Sequence, residues 1–174
     1  MGTSSGAIMA QALLGLYPDV FKAGASFSGV ADGCWADSYS SSSQWSGTCA
    51  GGNVTKTAQQ WGDLVRAQDP TYTGARPRVQ LWHGTADVTI NYTNLGESIK
   101  QWTNVLGLGS SPTSTDTPKA GFTRQSWQNT CGLNVLEAYI QANGPHGTAI
   151  DADALVRFFA LDKAGADAGA AACP

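Results

Sequence analysis

Gly2-Thr3-Ser4-Ser5-Gly6, running into AIMAQALLGL at residues 7–16, is the stretch on which the fold turns. It spells G-x-S-x-G, the pattern of a sharp strand-to-helix turn that exposes a serine hydroxyl. Such a turn forces the serine into a strained backbone conformation. Small residues two before and two after it, here Gly2 and Gly6, let the chain segments pass without clashing. The hydroxyl emerges at the start of a helix, where the peptide dipoles favour developing negative charge. Residues 7–16 are apolar, rich in helix formers and ended by Tyr17-Pro18-Asp19, so they supply that helix. The pattern is short, and a chain with 21 glycines can match it by accident, so the rest of the sequence has to decide.

Outward from the turn, helical and extended patterns alternate. Residues 22–30 (KAGASFSGV), small and bounded by glycines, predict a buried strand. Residues 31–53 form a long polar loop with Cys34 and Cys49 near its ends, and a bridge between them would staple it. Residues 57–68 predict a helix with Trp61, Leu64 and Val65 on one side, stopped by Asp69-Pro70. Residues 78–82 (RVQLW) predict a strand, followed at once by the loop HGTADVTI. Leu95, Ile99, Trp102 and Leu106 recur at helical spacing, so residues 94–106 form an amphipathic helix. Residues 107–121 read as a loop. Residues 122–128 and 134–141 alternate and are joined by NTCGL, which predicts a hairpin. A last helix is expected over residues 151–161, with Asp151 or Asp153 as its N-cap, before an Ala/Gly-rich tail over 162–174. The order describes one α/β domain over residues 1–161, a mostly parallel sheet flanked by helices with a C-terminal hairpin. Its chemistry belongs in loops leaving the carboxyl ends of the strands.

Composition narrows the function classes. Of 174 residues, 42% are hydrophobic and 13% charged, enough apolar material for a core. The net charge of −3 and the lack of a basic cluster exclude nucleic acid as an expected partner. No apolar run approaches the roughly 18 residues of a membrane span. Four cysteines without C-x-x-C spacing, and only two histidines, make a metal site an unpromising reading. No cofactor is expected. Asn53-Val54-Thr55 and Asn91-Tyr92-Thr93 are glycosylation sequons, and with the Gly/Ser/Thr/Trp richness they point to a secreted, disulfide-bearing protein.

Three positions can make one site. Ser4 is the exposed hydroxyl of the turn. Asp87 lies in the loop just past the strand RVQLW, where it is either the acid of a triad or an Asx-turn residue. His146 lies in the Gly/Pro loop after the last strand. His83, directly at the end of a strand, reads as a residue that packs or braces the Asp87 loop. The order Ser4, Asp87, His146 is that of the α/β-hydrolase triad and not of other serine-hydrolase folds. In that scheme His146 takes the Ser4 proton, Asp87 fixes the imidazole tautomer, and the Ser5 backbone N–H is half of an oxyanion hole.

GTSSGAIMAQALLGLYPDVFKAGASFSGVADGC, QQWGDLVRAQDPTYTG, RPRVQLWHGTADVTINYTN and IKQWTNVLG resemble secreted esterases of carbohydrate esterase family 1, the acetylxylan and feruloyl esterases, relatives of polyester depolymerases. The likeness covers most of residues 2–161 and implies the C-terminal part of an α/β-hydrolase fold. It assigns the triad roles to Ser4, Asp87 and His146. The implied activity is a serine carboxylesterase removing acetyl groups from plant cell-wall xylan, with feruloyl ester and polyester hydrolysis as the alternatives. The implied enzyme is extracellular and monomeric. Family members carry a signal peptide and further strands before this turn, so the chain is expected to be part of a larger enzyme whose second oxyanion donor lies upstream. An inert carbohydrate-binding or misfolded fragment is the non-enzymatic alternative. Trp35, Trp45 and Trp127 are candidate contacts for sugar or feruloyl rings. Two features depart from the family pattern. The histidine loop reads Asn143-Gly144-Pro145-His146-Gly147 where the family has G-V-G-H, and Cys131 and Cys173 have no evident family pairing, so one of them is expected to have lost its partner with the N-terminal region.

Overall fold

The computed structural model describes residues 1–37 and 44–162. Its elements, in chain order, are β1 (Gly2–Thr3), α1 (Ser5–Leu16), β2 (Ala23–Phe27), α2 (Cys34–Asp37), α3 (Gly47–Ala50), α4 (Ala58–Gln68), β3 (Arg78–Gly84), α5 (Thr93–Val105), β4 (Ser114–Lys119), β5 (Phe122–Gln128), β6 (Asn134–Gln141) and α6 (Ala152–Phe158). One six-stranded sheet runs β1-β2-β3-β6-β5-β4. Its first four strands are parallel, and β5 and β4 add on antiparallel. This is the mostly parallel α/β sheet with a C-terminal hairpin that the sequence predicts, and the fold is of the α/β-hydrolase type.

Period-two alternation divides the core. From β3 and β6, Val79, Leu81, Leu136 and Ala138 face the layer of α1 and α5, where they meet Leu14, Leu95 and Trp102. On the other face Trp82 stacks with Tyr139 and Phe27 and meets Phe122 edge to face, under Ala154 and Leu155 of α6. α4 packs between α1 and α5. Its start carries a full capping box: Thr57 accepts from the Gln60 N–H while the Gln60 side chain accepts from the Thr57 N–H. β3 is buried along its whole length, as a central parallel strand must be.

Several boundaries differ from the sequence reading. β2 stops at Phe27 because Ser28 turns into the left-handed region, at φ 53°. β3 continues through His83 and Gly84, so the loop begins at Thr85. The expected loop 107–121 contains β4. That strand is exposed and polar, without apolar alternation to reveal it, and it exists through its partner. Ser114 pairs with Ser126, and Asp116 receives two hydrogen bonds from Arg124, at 3.0 and 2.6 Å. Pro118 falls at the register shift, where a missing N–H does no harm.

Within the long loop, Cys34 and Cys49 are bridged, with α carbons 5.8 Å apart. Closing 15 residues is worth about 3 kcal/mol in the chain-entropy description. Cys131 is also disulfide-bonded, so it is not a cysteine left without a partner. Cys173 and the tail from residue 163 lie outside the described residues. No described helix is long and apolar enough to cross a membrane.

Candidate active site

The site is built where three parallel strands end. Ser4 sits between β1 and α1 with φ 55° and ψ −121°. Strain of this kind costs on the order of 1–3 kcal/mol and persists only where the surroundings impose it. Here both sides impose it: the Ser4 N–H donates to Phe27 O (2.9 Å), and Ser4 O accepts from the N–H groups of Ala7 and Ile8 (2.9 and 3.1 Å).

The two glycines of the turn are not equivalent. A β carbon on Gly2 would fall 2.0 Å from Gly6 O, whereas one on Gly6 meets nothing within 4 Å. The expectation that both must be small is corrected: only Gly2 is demanded by space. Gly2→Ala is therefore expected to cost about 3 kcal/mol or more. Gly6→Ala, inside a helix, should gain roughly 0.5–1 kcal/mol. Urea unfolding midpoints of the two variants check this, and equal midpoints would contradict it.

Asp87 and His146 come from two loops that are laced together. The Thr85 N–H donates to Gln141 O, the Ala86 N–H to Gly144 O and the Asn143 N–H to Thr85 Oγ1, at 2.9, 2.9 and 2.8 Å. Gly84 permits this approach, since a β carbon there would lie 2.2 Å from Gly144 O. The departure Asn143-Gly144-Pro145-His146 is accommodated by a left-handed Asn143, at φ 54°.

The imidazole bridges its two neighbours. His146 Nε2 is 2.9 Å from Ser4 Oγ, and His146 Nδ1 is 2.9 and 3.1 Å from the carboxylate oxygens of Asp87. Asp87 Oδ1 also accepts from the N–H groups of Thr89 and Ile90, both at 2.9 Å. One side chain thus both closes an Asx-type turn and faces the imidazole. Burial opposes ionisation of Asp87, but the hydrogen bonds from His146, Ile90 and Thr89 outweigh it and hold the carboxyl below its ordinary range. An ionised, acceptor-only Asp87 places the proton of neutral His146 on Nδ1 and leaves the Nε2 lone pair toward the serine.

His83 is the buried neighbour of this pair. Its Nε2–H points at Ile90 O (2.9 Å) and, more distantly, at Asp87 Oδ2 (3.3 Å). Burial pushes the imidazole below its ordinary value, while Ile90 O and Asp87 oppose that and His146 adds to it. The unfolded chain takes up a proton near pH 6.5 that the folded chain refuses until a lower pH. Stability should therefore fall as pH drops below about 6.5, by at most about 1.4 kcal/mol per pH unit for this one group. Chemical unfolding at stepped pH should show a shallower acid slope for His83→Gln. An identical slope in both proteins would put the acid sensitivity elsewhere.

Ser5 opens α1, so its N–H is among those the helix leaves without an acceptor, next to the Ser4 hydroxyl. Trp35 and Trp45 form an edge-to-face pair, with centroids 4.9 Å apart. Trp45 is half-exposed, while Trp35 packs on the core cluster that contains the Cys34–Cys49 bridge. Trp127 is corrected as a ring contact: it is 2% exposed and packs in the core beside Trp102 and Leu136. The two sequons are neighbours in space, both exposed, with Thr93 Oγ1 3.4 Å from Gly52 O. One residue at the site has no signal in the sequence. Ser28, buried and left-handed at φ 53°, accepts a hydrogen bond from the Gly147 N–H (3.0 Å), directly after His146.

Comparison with known proteins gives a consistent set. Residues 1–103 match the profile of the prolyl oligopeptidase family. The chain is 39% identical over 161 residues to feruloyl esterase B of Talaromyces funiculosus, covering 92% of this chain and 45% of that protein. It is 42% identical over 149 residues to an acetylxylan esterase of Coprinopsis cinerea, covering 84% and 38% respectively. The solved acetyl xylan esterase from Aspergillus awamori superposes with a TM-score of 0.82 at 32% identity, over 92% of this chain and 58% of that one. This chain thus spans about half the length, or less, of these two curated relatives.

Proposed function

Because the chain belongs to the prolyl oligopeptidase family and is homologous over most of its length to acetylxylan and feruloyl esterases, we propose that it carries the acyl-transfer machinery of a serine carboxylesterase acting on plant cell-wall xylan. The observation that supports this most is the 2.9 Å contact between His146 Nε2 and Ser4 Oγ, backed by the Asp87 carboxylate on the far ring nitrogen. That distance is within reach for proton transfer in the ground state.

The reaction follows from these atoms. Ser4 Oγ attacks the ester carbonyl carbon as His146 Nε2 takes the hydroxyl proton, and the carbonyl oxygen becomes an oxyanion beside the Ser5 N–H. Asp87 stabilises the imidazolium that forms. When the C–O bond to the sugar breaks, His146 returns the proton to the departing alkoxide. Water, deprotonated by the same nitrogen, then attacks the acyl-serine, releasing the acid and restoring Ser4. Metal and organic cofactors have no step to perform. Acetate is the preferred acyl group in this reading and ferulate the alternative, with Trp35 and Trp45 as candidate ring contacts. Polyester hydrolysis ranks third. The enzyme is extracellular and monomeric in this reading, with Asn53 and Asn91 open to glycosylation.

Two measurements test it. A serine-directed phosphonate should label one residue, and peptide mapping should place the label on Ser4. Acetylated and feruloylated xylan, offered separately, should yield acetate faster than ferulate. Label on another serine, or hydrolysis of peptides but not of either ester, would overturn the proposal.

A further inference from the structure

We propose that Ser28 is a positioning residue for His146, holding the downstream half of the histidine loop through the Gly147 N–H. This deepens the esterase reading and rests on it. The histidine loop is anchored unevenly. Upstream of His146, four hydrogen bonds tie Gln141, Asn143 and Gly144 to the Asp87 loop and to one another. Downstream, over residues 147–150, the described hydrogen bonds are two: the Ala149 N–H to Gln141 Oε1 at 3.2 Å, from an exposed residue, and the Gly147 N–H to Ser28 Oγ at 3.0 Å. Of these two, the second reaches outside the loop's own strand and lies one residue from the imidazole, whereas the Lys119–Asp151 ion pair (3.0 Å) holds the chain five residues on, at the cap of α6.

The conformation of Ser28 argues in the same direction. A serine at φ 53° is uncommon, and glycine would take that position without steric penalty. Ser28 is nonetheless fully buried, and its own N–H is fixed by Trp82 O at 2.8 Å, so the turn out of β2 is held between β3 and the loop. A side chain kept where its backbone disfavours one is explained by what its oxygen does. β2 also pairs with β1, with Thr3 opposite Phe27, and Ser4 donates to Phe27 O. The hydroxyl of Ser28 therefore refers the imidazole to the same strand that fixes the nucleophile, while Asp87 refers it to β3. Loss of the Ser28 oxygen leaves the pair Ser4–His146 defined from one side only. Misplacement by about 1 Å at such a contact lowers rates by about 10²-fold.

Phosphonylation of the full 174-residue chain by a fluorophosphonate tests this, because the rate reports Ser4 and His146 directly. Ser4 Oγ displaces fluoride at phosphorus while His146 accepts the proton. Ser28→Ala and Ser28→Gly are both expected to lower the limiting labelling rate about 10- to 100-fold, with an unchanged half-saturating probe concentration. The downfield proton resonance of the His146 Nδ1–H···Asp87 bond should broaden or vanish in both. The glycine variant separates positioning from structure. It relieves the backbone, so its thermal midpoint should hold or rise while its labelling rate falls. A Ser28→Gly chain that labels within twofold of the parent, or whose loss tracks a fallen midpoint, would overturn the proposal. Undiminished labelling of a Ser4→Ala chain would remove the esterase reading beneath it, and the role of Ser28 with it.

Discussion

Ester turnover by Ser4→Ala is expected to fall by about 10⁶-fold, to the level that binding and oxyanion contacts sustain without a nucleophile. The size of the effect follows from how little else the site offers. No other hydroxyl is hydrogen-bonded to His146 among the described contacts, and the strained turn at φ 55° exists to present this one. The fold should survive. Ser4 makes its structural bonds through its backbone, to Phe27 O, Ala7 N and Ile8 N, and alanine keeps all three. The check is a pair of measurements on one preparation: initial rates on an activated acetyl ester, and the urea midpoint. Turnover within tenfold of the parent at an unchanged midpoint would take Ser4 out of the mechanism.

Asp87→Asn should lower turnover by about 10⁴-fold while leaving the loop folded. The amide oxygen can take the place of Oδ1 and keep the two bonds from Thr89 and Ile90. That choice puts the amide nitrogen where Oδ2 was, 2.9 Å from His146 Nδ1 and 3.3 Å from His83 Nε2. A donor would then face two donors. His83 can fall back on Ile90 O, but His146 has to turn its Nδ1 lone pair to the amide and carry its proton on Nε2. The nitrogen that should accept the Ser4 proton is then already occupied. The rate loss should therefore appear in the limiting rate and not in KM, and it should ease at alkaline pH, where hydroxide can accept the Ser4 proton in place of the imidazole. A loss confined to KM, or a collapsed fold, would contradict the tautomer argument.

How much of this was legible in one dimension depended on the kind of signal each residue carries. The helices around Trp61, Val65, Leu95 and Trp102 were readable because periodic burial writes itself into spacing, and β3 because a short apolar run ending in a polar loop marks a buried strand. β4 was not: an edge strand of exposed Ser, Thr and Asp has no apolar face, and only the partner Arg124 on β5 makes it a strand. Trp127 was misread for the converse reason, since a large aromatic on a strand looks the same in sequence whether it lines a cleft or fills a core.

The sequence by itself determined the turn, its helix, and the chain order of a serine, an aspartate and a histidine at strand ends, because those depend on local sterics and on residue type. Only the tertiary structure decided that the imidazole spans from Ser4 to Asp87, that Gly2 and not Gly6 is spatially obligatory, and that Ser28 reaches the loop beyond His146. The contacts of His146 and Ser28 join residues as many as 142 positions apart, fixed by how parallel strands register against one another, and no local pattern encodes a register, while the Gly2 clash lies within five residues but depends on the exact backbone path of the turn.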